Sequence, residues 1–211
     1  VYKRQEDGID IPRSIFITSP SISYDSRDSF IRPREGILSY LAVDLSKGIE
    51  NSLDDFYKYR FEFRGFTTPF RRLTFAGRGS FGNIDPYGSS GVVPQDQLFF
   101  LGGTATVRGF DQNLFLYDRE NDPVGGEMAA VANVEARVDL GRNLEISLFY
   151  DLGYLNETSG LEVPDNVRDS VGAGLRYVTP VGAIGVLYGR KLDPQPGESR
   201  GRWHFSVGYT F

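Results

Sequence analysis

The sequence has no cysteine, one histidine and no excess of basic residues: 23 Lys and Arg stand against 28 Asp and Glu. Without cysteine there is neither a disulfide framework nor a thiolate metal site. A net charge of −5 argues against a nucleic-acid partner, which would meet a basic face. No apolar run approaches the roughly 18 residues of a transmembrane helix, and mean hydropathy is −0.30. The opening VYKRQEDGIDIP also has no apolar core of the signal-peptide kind, so an exported form would begin after its signal. The carboxylates Asp10, Asp25 and Asp28 have no metal-ligand spacing, and nothing surrounds His204 in the pattern of a catalytic constellation. These lacks predict no cofactor, no metal and no enzyme. A lone His204 on a lumen face is expected to be solvated.

What the chain does have is aromatic residues, glycine and alternation. There are 16 Phe, 12 Tyr and 25 Gly in 211 residues. The stretch YKYRFEFRGF places Tyr57, Tyr59, Phe61 and Phe63 on one side of a strand and Lys58, Arg60, Glu62 and Arg64 on the other. Period-two alternation predicts nine strands, near 14–25, 37–46, 56–66, 70–83, 127–140, 144–155, 169–179, 182–190 and 202–211. In the sixth, Leu144, Ile146, Leu148, Tyr150, Leu152 and Tyr154 oppose Glu145, Ser147, Phe149, Asp151 and Gly153. In the fifth, Val134, Ala136 and Val138 oppose Asn133, Glu135, Arg137 and Asp139.

A soluble sandwich would alternate in the same way, but its strands centre on about 5–6 residues. Tilted membrane strands need about 9–11. Connections at Thr67–Pro69, Gly141–Asn143 and Thr179–Val181 are tight. Those at 47–55, 85–126, 156–168 and 191–201 are long and polar. Short turns on one rim and long loops on the other mark an antiparallel transmembrane β-barrel. The turn between the first two strands, roughly ten residues long, fits this least well. The aromatic side then faces lipid. The charged side faces a hydrated lumen, where the charges need no dry pairing. On this reading Ile146→Arg is costly and Ser147→Arg is tolerated wherever the lumen has room. Nine is an odd count for a single-chain bacterial barrel, which predicts the C-terminal part of a larger one. Residues 1–13 are unpatterned, 14–211 form the barrel, and a long loop spans about 85–125.

Three segments carry more than alternation: LFFLGGTATVRGFDQN at 98–113, LFYDLGYL at 148–155 and the aromatic terminus WHFSVGYTF. VRGF at 107–110, the F-x-D-x-G pattern of FYDLG at 149–153 and GGEMAAVANVEARV at 125–138 together resemble the outer-membrane assembly factor superfamily that includes BamA, TamA and the two-partner secretion transporters. SYDSRDSFIRPREG at 23–36 and RYVTPVGAIG at 176–185 fit the same bacterial surface antigen barrel.

The resemblance implies a 16-stranded barrel in the bacterial outer membrane, of which these are strands eight to sixteen, preceded by seven strands and POTRA domains. It implies a lumen loop carrying Val107, Arg108, Gly109 and Phe110, whose Arg108 meets Asp151 and Glu135 on the barrel wall. Phe149 and Gly153 belong to the strand motif. Trp203, Phe205, Val207, Tyr209 and Phe211 read as a C-terminal β-signal, one residue in two on the lipid face, and Gly208 as a weak point near a lateral gate. The implied function is assembly and insertion of outer-membrane β-barrel proteins. Its partners would be unfolded outer-membrane proteins, the lipid bilayer, and periplasmic chaperones or accessory lipoproteins. A two-partner-type polypeptide export pore and a barrel anchoring a fused passenger domain share the same motifs.

Overall fold

A computed structural model describes residues 2–6, 9–49, 55–87, 93–157 and 166–209. Residues 2–13 form a separate antiparallel pair, β1 (Tyr2–Glu6) and β2 (Ile9–Arg13), where the sequence showed no pattern. The main sheet contains β3 (Ile15–Thr18), β4 (Ser21–Asp25), β5 (Gly36–Gly48), β6 (Phe56–Phe70), β7 (Leu73–Pro86), β8 (Gly126–Gly141), β9 (Leu144–Glu157), β10 (Val167–Thr179), β11 (Gly182–Lys191) and β12 (Gly201–Val207). β3 and β4 both pair with β5 and act as one strand interrupted at Pro20, whose nitrogen has no hydrogen to donate to a ladder. From β5 to β12 each strand pairs antiparallel with its sequence neighbours. Among the described residues β12 and the β3/β4 strand are paired on one side only, so the sheet is open.

The facing follows the alternation. Tyr57, Tyr59, Phe61, Phe63, Ile146, Leu148 and Phe205 are exposed on the convex side, with Phe205 at 80%. On the concave side Asn133, Glu135, Arg137, Glu145, Ser147 and Asp151 are buried. A soluble sheet would bury its apolar face. Burial of the charged face and exposure of the aromatic one require hydrocarbon outside. The inner strands are paired along both edges, as lipid demands.

The row of charges on β6 is paired rather than merely hydrated. Arg60 grips Asp44 on β5 through two bonds of 2.7 and 2.9 Å. Glu62 holds both Arg64 and Arg78. Lys58 donates to the carbonyl of Gln97 and lies over the Phe99 ring. The ten-residue turn between β4 and β5 is also ordered by charge. Asp28 accepts the backbone N–H groups of Arg34 and Glu35. Arg32 reaches into the concavity to Asp139 at 2.9 Å and Glu145 at 3.1 Å. Its extra length is what lets Arg32 get there.

Candidate functional site

The connection between β7 and β8 folds back against the concave face and supplies most of the apolar core. Leu101, Val107, Phe110, Phe115, Leu116 and Val124 come from the loop. Ala129, Val131 and Leu155 come from the wall. Glycines set the loop's path: Gly102, Gly103 and Gly109 have φ of 105°, 94° and 93°, a region that favours residues without Cβ.

Arg108 lies at the centre and is 1% exposed. Its Nε and Nη2 donate to the two oxygens of Asp151 at 2.8 and 2.7 Å, and its own backbone N–H donates to Asp151 at 2.9 Å. Nη1 donates to Glu135. The guanidinium carbon sits 3.6 Å from the centroid of Phe149. This geometry assigns a physical task to each element of F-x-D-x-G. Phe149 is the platform under the guanidinium, and Asp151 takes its fork. Gly153 leaves room for the loop, since a Cβ there would lie 2.7 Å from Phe115 and 2.8 Å from Val107. Asn133 donates to both Asp151 and the carbonyl of Thr106, and Ser170 donates to the carbonyl of Arg108. A fork with planar, charge-assisted bonds is a task that lysine would perform poorly.

The loop also grips the edge of the sheet. The N–H of Gly109 donates to Nε2 of His204 on β12 at 2.8 Å. The lone histidine is therefore a buried hydrogen-bond acceptor, not a solvated side chain, because the loop packs over β12 and covers it. Gly109 rests directly on Gly189 of β11, where a Cβ would meet the Gly109 nitrogen at 2.4 Å. Because the obstacle is backbone, Gly189→Ala must displace the loop, with an expected cost of about 1–3 kcal/mol. Gly79→Ala meets nothing within 4 Å and serves as the control. Unfolding midpoints in detergent that match for the two variants would contradict the close approach.

Two cations lie close to the ring of Phe110. Arg168 lies 4.6 Å and Lys191 4.8 Å from its ring centroid. Arg168 also donates to the carbonyl of Phe115 at 3.0 Å and, with Lys191, pairs with Glu198 of the β11–β12 connection. Burial disfavours the Glu198 charge. The bonds from Arg168 and from the Gln195 N–H nevertheless hold its carboxyl down to about 2.

A third group lies nearer the short-turn rim and was not legible in the motifs. Arg176 of β10 donates to Glu135 at 2.7 Å and to Ser147 at 3.0 Å, and Arg137 donates to Glu135 at 2.7 Å. Three guanidiniums, Arg108, Arg137 and Arg176, thus face three carboxylates, Asp151, Glu135 and Glu145. The parity of Arg137 was visible in sequence, but the partner it shares with Arg176 was not.

Tyr209 departs from the alternating lipid-facing series expected of the terminus. β12 ends at Val207, and Gly208 turns with φ of 87°. Tyr209 enters the concavity, with its ring 4.3 Å from the Arg137 guanidinium carbon and its hydroxyl 3.1 Å from Glu145. The gain is a cation–π contact and a charge-assisted hydrogen bond, neither of which lipid would offer. Trp203, Phe205 and Val207 remain exposed on the convex side. Phe211 lies outside the described residues.

Comparison with known proteins agrees with this architecture. An Omp85 superfamily domain matches residues 5–211. The outer membrane protein assembly factor BamA of Nitratidesulfovibrio vulgaris is 31% identical over 197 residues, 89% of this chain and 24% of that protein. The BamA of Neisseria meningitidis serogroup B is 23% identical over 218 residues, 87% of this chain and 27% of that protein. The chain therefore spans about a quarter of the length of these relatives. The crystal structure of BamA from Haemophilus ducreyi lacking POTRA domains 1–3 superimposes with a TM-score of 0.78 at 21% identity, covering 95% of this chain and 43% of that one.

Proposed function

Because the chain belongs to the Omp85 superfamily, we propose that it forms the C-terminal wall of an outer-membrane assembly factor that inserts β-barrel proteins into the bilayer. The barrel is an outer-membrane one. The observation that carries the reading is the loop bolted to the wall. Arg108, Gly109 and Phe110 tie it to β8, β9, β10, β11 and the edge strand β12. A loop fixed this firmly occupies the concavity and braces the sheet edge. That favours work at the edge over passage through the lumen, where an export pore would need a displaceable plug.

On this reading the edge of β12 offers unpaired backbone groups to an incoming strand, and alternate side chains set the register. Catalysis here needs no covalent intermediate: a braced edge shortens the search for the first strand pairing, and lipid then enforces closure. Unfolded outer-membrane proteins are the substrates, with periplasmic chaperones or accessory lipoproteins delivering them. The VRGF loop acts as the brace and β12 as one side of a lateral gate.

The test is reconstitution of the full-length protein into phospholipid vesicles, followed by addition of a urea-unfolded eight-stranded barrel. Folding of the substrate, read by its altered gel mobility, is expected to be faster than in protein-free vesicles. Equal rates, or protease-protected transfer of a soluble polypeptide into the vesicle lumen instead, would overturn the assembly reading.

A further inference from the structure

The convex face is not a uniform apolar wall. Gly65 of β6 and Gly77 of β7 lie directly opposite one another and form the floor of a groove of about 670 Å³. Ile37, Phe75, Leu148 and Tyr150 wall it. A further outward glycine, Gly79, continues the hollow along β7, and a Cβ there would meet nothing within 4 Å. Glycine inside a strand weakens it and commonly marks a close approach by a ligand or another backbone. Three of them on a lipid-facing surface, between aromatic neighbours, leave a shape that membrane strands do not need for spanning.

The groove reaches Thr67, beside the β6–β7 turn, and the short-turn rim there carries arginines. The β6–β7 turn carries Arg71 and Arg72, and the β8–β9 turn carries Arg142; all three are exposed. Among the described residues none of the three has an ion-pair partner. Phe75 lies three residues from Arg72, or about 10 Å at about 3.3 Å per residue. Leu148 lies six residues from Arg142, or about 20 Å on the same rise. One leaflet of hydrocarbon is about 15 Å deep, half of a core of about 30 Å. Guanidiniums at the rim and a hollow about 10–20 Å along the strands from them lie within the reach of one lipid, headgroup to acyl chain.

We propose that this face is a binding site for an anionic phospholipid, with its phosphate held by Arg71, Arg72 and Arg142 and one acyl chain seated over Gly65 and Gly77. The arginines select the headgroup and the glycine floor selects a chain. A flat wall would let chains slide past. The site lies outside the loop cluster and away from the edge at β12, so it is separable from the assembly role.

The test uses the full-length protein in nanodiscs made from equal parts phosphatidylglycerol and phosphatidylcholine. Lipids that stay bound after extraction into detergent are counted by native mass spectrometry. Phosphatidylglycerol is expected to be retained in preference to phosphatidylcholine. Each arginine near an anionic headgroup contributes about fivefold, so Arg71→Gln with Arg72→Gln should reduce the preference by about 25-fold. Gly77→Leu points into open space, since its Cβ would approach only the Asn133 carbonyl at 4.0 Å. It is expected to abolish retention of both lipids while gel mobility shows an intact barrel. The exposed arginine pair keeps the proposal testable should Gly77→Leu fail to fold. Equal retention of the two lipids by the unaltered protein would overturn the proposal, as would unchanged retention in the arginine variant. So would a photo-reactive side chain at position 79 that cross-links to a second copy of the chain instead of to lipid.

Discussion

Replacing Arg108 with alanine is expected to destabilise the barrel wall by about 3–5 kcal/mol, the range for removing one partner from a desolvated ion pair. The magnitude follows from what stays behind. Arg108 is 1% exposed and Asp151 fully buried. Asp151 accepts three bonds from Arg108 and one from Asn133. Alanine removes the two side-chain bonds and leaves a buried carboxylate with a backbone N–H and one amide. Glu135 is better protected, because Arg137 and Arg176 still hold it. Arg108→Lys restores the charge but not the fork, nor the stacking on Phe149, and should fall between the two. Urea unfolding in detergent micelles measures all three proteins. An Arg108→Ala midpoint equal to that of the unaltered chain would mean that water reaches Asp151. With the assembly reading, the same variant should lose substrate insertion while keeping its strand content by circular dichroism.

Leu148→Arg is expected to cost about 2–4 kcal/mol, the range for a cation on the lipid face near the bilayer midplane. The apolar outward run of β9 extends from Leu144 to Tyr154, so Leu148 lies near its centre. Ile146 faces the same way but sits one outward position closer to the short-turn rim, where an arginine can extend its charge to the interface. Ile146→Arg should therefore cost less. On the opposite face, the tolerance expected of Ser147→Arg is withdrawn. Ser147 is buried and accepts a bond from Arg176 at 3.0 Å. A further guanidinium there would meet Arg176 and Arg137 at a position that is only 1% exposed. Overpacking and like charge together should make Ser147→Arg at least as damaging as Leu148→Arg, whereas Ser147→Ala removes one hydrogen bond worth about 1 kcal/mol. Folding yields into lipid vesicles rank the four variants, and a fully folded Ser147→Arg would imply an open, wet concavity.

The groove and the loop cluster divide the wall into two working surfaces. The concave one is charged and paired, which makes it rigid: each guanidinium is oriented by at least one carboxylate. The convex one is apolar and shaped by missing side chains. Tyr209 connects the first of these to the end of the chain. Its hydroxyl shares Glu145 with Arg32 of the β4–β5 turn, so the last described residue of the sheet edge and the first long turn meet at one carboxylate.

Which side of each strand meets lipid was decided by the sequence alone. Facing in a strand is a local property with a period of two, and no distant residue can reverse it without slipping the register. Tyr57 to Arg64, Asn133 to Val138 and Leu144 to Tyr154 could therefore be read one strand at a time. The motif residues Arg108, Asp151, Phe149 and Gly153 were legible as well, though only as a set of words. What the tertiary structure decided was partnership. Arg176 reaches Glu135 across 41 residues, and Gly109 reaches His204 across 95. Such pairs depend on how many strands separate them, on the register of each ladder and on the path of the loop. None of these leaves a local trace. The same holds for Tyr209, whose alternation pointed outward. One positive φ at Gly208, with the guanidiniums of Arg137 and Arg176 and the carboxylate of Glu145 in the concavity, outweighed it.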